Sequence, residues 1–69
     1  MENNVRYFRK LRGMSQKDLC EKSGVNRTTL SAIECGRCNN ITVLTIKKLA
    51  EALDTTPQVL FFEDAVNNE

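Results

Sequence analysis

The sequence predicts an all-α fold, a compact bundle of five short helices. Three observations carry this. Apolar residues recur every three or four positions with no period-two alternation, capping residues stand ahead of most apolar runs, and glycine or proline punctuates the intervals. Sixty-nine residues make a single domain, 1–69, near the size where one core is only just sufficient. The core is expected over about residues 4–62, with residues 63–69 a polar tail whose terminal NNE frays.

The elements follow in order. Val5, Phe8 and Leu11 recur at helical spacing, and the first helix is expected to stop at Gly13. Ser15 offers an N-cap, with Asp18 three residues on, close to a capping box. That helix turns Leu19 and Cys20 inward and breaks at Ser23-Gly24. Asn26 is the next N-cap; Leu30 and Ile33 share one face, and Gly36 closes the third helix. Beyond the polar loop RCNN, Thr42 caps a longer fourth helix on which Val43, Ile46, Leu49, Ala50 and Leu53 form an apolar stripe. Thr56 caps a short fifth helix with Pro57 at its first position.

The net charge of +1 conceals an asymmetry. Residues 1–37 carry eight basic and four acidic groups, a balance of +4; residues 38–69 carry two lysines against five carboxylates, a balance of −3. A basic half beside an acidic half suits a polyanion on one side only. No apolar run approaches the roughly 18 residues that span a bilayer, and "MENNVRYFRK" does not read as a signal peptide. With an odd number of cysteines and no secretion signal, a reducing cytoplasm is the expected location. With no histidine, no glycine-rich phosphate loop and scattered carboxylates, no catalytic constellation can be named, and neither an enzyme nor a cofactor is expected.

The segment Gln16 to Arg37 holds the specific signal. Cys20 is small enough for close helix approach, Gly24 supplies the positive φ of a sharp helix–helix turn, and Leu19, Val25, Leu30 and Ile33 fill the wedge between the helices. In this register "GMSQKDLCEKSGVNRTTLSAIECGR" resembles the helix-turn-helix of the phage repressor and Cro type, the XRE family. Residues 24–36 match the family's G-V-S-x-x-x-I-S-x-I-E-x-G, with Asn26 for serine and Leu30 for isoleucine; "TVLTIKKLAEALDTTPQVLF" is similar to its fourth and fifth helices. The resemblance implies a lambda-repressor-like bundle whose second and third helices form the helix-turn-helix, the third entering the major groove.

Carried over by residue, the resemblance implies base contacts from Arg27, Thr28, Ser31 and Ala32, and phosphate contacts from Gln16, Asn26, Arg37, Asn39 and Asn40. Arg27 stands out, because the helix dipole disfavours a cation in an exposed first turn and little but ligand binding justifies one there. Asn26 reads equally well as an N-cap alone. Glu34 is implied to pair with Arg9 as a structural brace between the third helix and the first.

Cys35 and Cys38 are spaced C-x-x-C. A zinc site needs four ligands, and the chain has three cysteines and no histidine, so no metal is expected. Gly36 between them reads first as a helix stop; oxidation of two exposed thiols beside basic groups is the other reading. The implied function is sequence-specific recognition of double-stranded DNA by a transcriptional regulator, a small repressor or controller, acting as a homodimer on an inverted repeat. Leu44, Val59, Phe62 and Val66 form the candidate dimer surface. The alternative is an antitoxin-like or degenerate helix-turn-helix module whose main partner is another protein.

Overall fold

The computed structural model describes residues 2–62. Five helices follow one another: α1 (Val5–Leu11), α2 (Gln16–Ser23), α3 (Arg27–Glu34), α4 (Val43–Ala52) and α5 (Pro57–Phe61). There is no strand among the described residues.

Local side-chain chemistry sets where the helices begin. The Ser15 hydroxyl accepts from Asp18 N–H and the Asp18 carboxylate accepts from Ser15 N–H, both at 3.0 Å, a complete capping box. The backbone and hydroxyl hydrogen bonds from Ser15 hold the Asp18 carboxyl below its ordinary pKa. Asn26 Oδ1 accepts from Thr28 N–H at 2.7 Å and, more weakly, from Thr29 N–H at 3.4 Å. Thr42 and Thr56 cap α4 and α5 through Thr45 and Val59 N–H groups, with Pro57 in the first turn of α5. Each cap satisfies a donor that has no carbonyl one turn earlier to bind.

Left-handed residues end the first four helices. Gly24 has φ +79° and donates its N–H to Cys20 O at 2.8 Å. A Cβ at Gly24 would meet nothing within 4 Å, so backbone conformation, not crowding, favours glycine there. After α4 the same role falls to Asp54, at φ 56°. Asp54 N–H bonds Glu51 O and Thr55 N–H bonds Ala50 O, closing the helix by the two-bond pattern usual with glycine. Arg12, just past α1, covers this end: Nε donates to Leu53 O at 2.9 Å and Nη2 to Asp54 O at 3.1 Å. A guanidinium there also meets the negative end of the α4 dipole.

The core runs through every helix. Val5, Leu19, Leu30, Ile33, Leu49, Leu53 and Leu60 have no exposure, and Val25, Ile46, Ala50, Ala52 and Phe61 complete the cluster. Leu19, Val25, Leu30 and Ile33 thus occupy the wedge of the helix-turn-helix, with Cys20 half-buried beside them. Asn4 is also buried; its backbone N–H donates to Leu60 O and its Nδ2 to Val59 O, both at 2.8 Å, which ties the start of α1 to α5.

Two expectations about the core need correction. Leu11 is 57% exposed, because each three-residue step falls about 60° short of a full turn, so 5–8–11 spirals off the buried face that Val5 and Arg9 share. Val43 is 72% exposed: it is the first residue of α4, and helical side chains tilt toward the N-terminus, past the end of the packed stripe. The tail 63–69 lies outside the described residues.

Candidate nucleic-acid interface

α3 is anchored by one face and presents the other. Leu30 and Ile33 are fully buried; Arg27 and Thr28 in the first turn are exposed, and Ser31 and Ala32 are half-buried one turn later. Arg27, Thr28, Ser31 and Ala32 therefore all lie off the buried stripe of one short helix. The oxygen of Asn26 is engaged as the cap, which leaves its amide N–H groups as the donors for any phosphate.

The start of α2 is joined to α3 by side chains. Arg27 Nε donates to Gln16 Oε1 at 3.3 Å, and Gln16 Nε2 donates to Glu34 Oε1 at 3.1 Å. Gln16 thus links the first turn of α3 to its last residue. Glu34 is the centre of the cluster: its side chain has no solvent exposure, Arg9 Nε donates to Oε2 at 2.7 Å, and Arg9 Nη2 donates to Oε1 at 3.1 Å. Arg6 Nε lies 3.5 Å from Oε1 on the exposed side, and Arg9 Nη1 donates to Met14 O at 2.9 Å. Burial pushes the Glu34 carboxyl upward, but hydrogen bonds from Arg9 and Gln16, the Arg9 charge and the Arg6 contact outweigh it, and the net pKa lies below the ordinary value. The carboxylate stays charged because its desolvation is met by fixed donors.

The remaining predicted site residues divide into two groups. Arg37, Asn39 and Asn40 are exposed on the loop after α3. Leu44 is 62% and Phe62 64% exposed, whereas Val59 is half-buried and Val66 lies outside the described residues. One thiol departs from expectation. Cys35 is exposed, but Cys38 is half-buried and packs against the core, because the chain doubles back over the end of α3. Arg6 is a third donor group to Glu34 not expected from the sequence, although it sits three residues before Arg9 on the same face of α1. Both Gln16 contacts are likewise unexpected, because they join residues 11 and 18 positions apart and leave no local signal.

A profile of the helix-turn-helix family matches residues 5–60. The chain belongs to the helix-turn-helix family. Its relatives within that family are XRE-type transcription regulators, which are not enzymes. Over all 69 residues this helix-turn-helix protein is 35% identical to the control protein C.SmaI of Serratia marcescens and spans 81% of it. It superposes on the restriction-modification controller protein C.AhdI from Aeromonas hydrophila with a TM-score of 0.77 and 38% identity, over 84% of this chain and 86% of that one. SinR of Bacillus subtilis, the master regulator for biofilm formation, gives 0.76 in its complex with DNA, at 31% identity over 80% and 87% of the two chains. A SinR–SinI complex gives 0.84 at 29% identity; the match covers 96% of this chain and 64% of that one. No helix among the described residues is long and apolar enough to cross a membrane, and none of their cysteines and carboxylates cluster as metal ligands.

Proposed function

We propose that this helix-turn-helix protein is a cytoplasmic, sequence-specific DNA-binding regulator of transcription, a small repressor or controller, that binds an inverted-repeat operator as a homodimer. The observation that carries the reading is Arg27: an exposed cation at the positive end of α3, held by Gln16 on a helix whose other face is locked in the core. Arg27 suits bidentate recognition of guanine O6 and N7; Thr28 and Ser31 offer hydroxyls, and Ala32 a methyl for apolar contact. Gln16, the Asn26 amide, Arg37, Asn39 and Asn40 surround that helix with polar groups for the phosphate backbone. One recognition helix reads too few base pairs for a genome-sized search, so a second copy is required. Leu44 and Phe62, both exposed and apolar, with Val59 and Val66 within four residues of Phe62 in sequence, are the proposed contact between copies. The same apolar residues support a second reading, a module whose main partner is another protein, since a relative forms a complex with SinI.

Selection from a random DNA pool tests the proposal. The expected result is an enriched inverted repeat with half-site centres roughly 34 Å apart, and affinity falling with log salt at a slope of about −0.9 per phosphate neutralised. Equal, weak binding to every sequence would exclude this function and leave the protein-partner reading.

A further inference from the structure

The recognition proposal leaves the C-x-x-C pair unused, and the way α3 ends gives that pair a geometry. Gly36, at φ +77°, donates to Ile33 O at 3.0 Å, and Arg37 N–H donates to Ala32 O at 3.0 Å. Cys38 N–H also points at Ala32 O, at 3.3 Å. The chain thus leaves α3 at Cys35, reverses at Gly36, and lays Cys38 against the carbonyl of Ala32. Residues 32 and 35 are three apart on one helical surface and are therefore neighbours. The turn that carries Cys35 is the turn onto which Cys38 folds back. Both thiols are free; Cys35 is exposed and Cys38 half-buried against the core. Cys20 belongs to the α2 contact instead.

We propose that Cys35 and Cys38 are a modification site at which a small-molecule disulfide, such as glutathione disulfide, closes an intramolecular bond that weakens DNA binding. The Cys35 thiolate attacks one sulfur of glutathione disulfide and expels a glutathione thiolate, giving a mixed disulfide. The Cys38 thiolate then attacks Sγ of Cys35 and expels the second glutathione. Two protein thiols are oxidised to one disulfide, one glutathione disulfide is reduced to two glutathione molecules, and the two protons move to the departing thiolates. Cys35 attacks first because it is the accessible thiol, and Cys38 is the resolving thiol because it lies three residues further along the reversed chain. Bond formation draws the Cys38 sulfur from its packing against the core toward the exposed Cys35. Arg37 lies between the two cysteines, and Asn39 and Asn40 follow directly. The bond therefore reshapes the segment assigned to phosphate. That effect on affinity rests on the DNA-binding reading; the chemistry of the bond does not.

The test treats the intact protein with glutathione disulfide and follows it by intact mass, peptide mapping and titration of a DNA duplex carrying the selected operator. Expected is a loss of two hydrogens mapped to Cys35–Cys38, with Cys20 still free. Affinity should fall at least tenfold and recover with dithiothreitol, and the salt slope should become shallower by about 1 for each phosphate the protein ceases to neutralise. Cys35→Ser, which lacks the attacking thiol, should keep full affinity in oxidant, and Cys38→Ser should stop at the mixed disulfide with no closed bond. A mixed disulfide that persists in the unaltered protein, or a closed bond with unchanged affinity and salt slope, would overturn the proposal. Should the reduced protein bind no DNA, the recognition reading fails by itself, while the mapped bond still decides the redox chemistry.

Discussion

Glu34→Ala should be the most damaging single change outside the apolar core. Glu34 has no side-chain exposure, and Arg9 is 11% exposed. Removing the carboxylate leaves the Arg9 guanidinium buried with Met14 O as its one remaining acceptor among the described residues, and deprives Gln16 and Arg6 of theirs. Breaking a buried pair from one side costs about 3–5 kcal/mol. A domain this small rarely has more than about 3–5 kcal/mol of stability in total, so the variant should sit near or beyond its unfolding midpoint at 25 °C. At roughly 4–8 °C per kcal/mol, even the lower figure displaces Tm by about 12 °C or more. Thermal and urea unfolding followed by far-ultraviolet circular dichroism would measure this. The double variant Arg9→Met with Glu34→Leu should recover most of the loss, because an apolar pair has no charge to strand. A loss under about 1 kcal/mol, the scale of an exposed ion pair, would refute the claim that this carboxylate is buried and coupled. The pH dependence follows from the same group. Because the folded Glu34 pKa lies below that of the unfolded chain, the unfolded state binds more protons in the interval between them. The carboxylate's contribution is therefore complete above about pH 4.3, the unfolded value, and is lost as pH falls through the folded one.

Asp54→Gly should stabilise the domain by about 0.5–1 kcal/mol, since glycine enters the left-handed conformation without the Cβ penalty; unchanged or lower stability in urea would show that Asp54 makes a compensating contact. Leu44→Asp should shift the proposed dimer to monomer in sedimentation equilibrium and lower operator affinity at least tenfold without changing helical content. A variant that stays dimeric would remove Leu44 from the contact between copies.

The helix starts were legible in the sequence because capping is local: Ser15, Asn26, Thr42 and Thr56 each act within three residues of themselves. The wedge of Leu19, Val25, Leu30 and Ile33 was legible because their spacing puts them on facing surfaces across one tight turn. Leu11 and Val43 were misplaced because periodicity reports a face but not where the neighbouring helices stop. Contacts such as Arg12 to Leu53 and Asp54, or Asn4 to Val59, join residues more than 40 positions apart, and nothing in either segment announces the other. At the interface, α3 and its exposed Arg27 could be read in advance, whereas the link from Arg27 through Gln16 to Glu34 could not, because it depends on how α2 packs against α3.

Base reading by Arg27 is tested by comparing the unaltered protein with Arg27→Ala on a panel of duplexes carrying every single-base change in one half-site. The unaltered protein should discriminate one G·C pair by about 1–3 kcal/mol, and Arg27→Ala should lose discrimination at that pair while keeping it elsewhere. Uniform weakening by Arg27→Ala across all sequences would instead make Arg27 a phosphate contact.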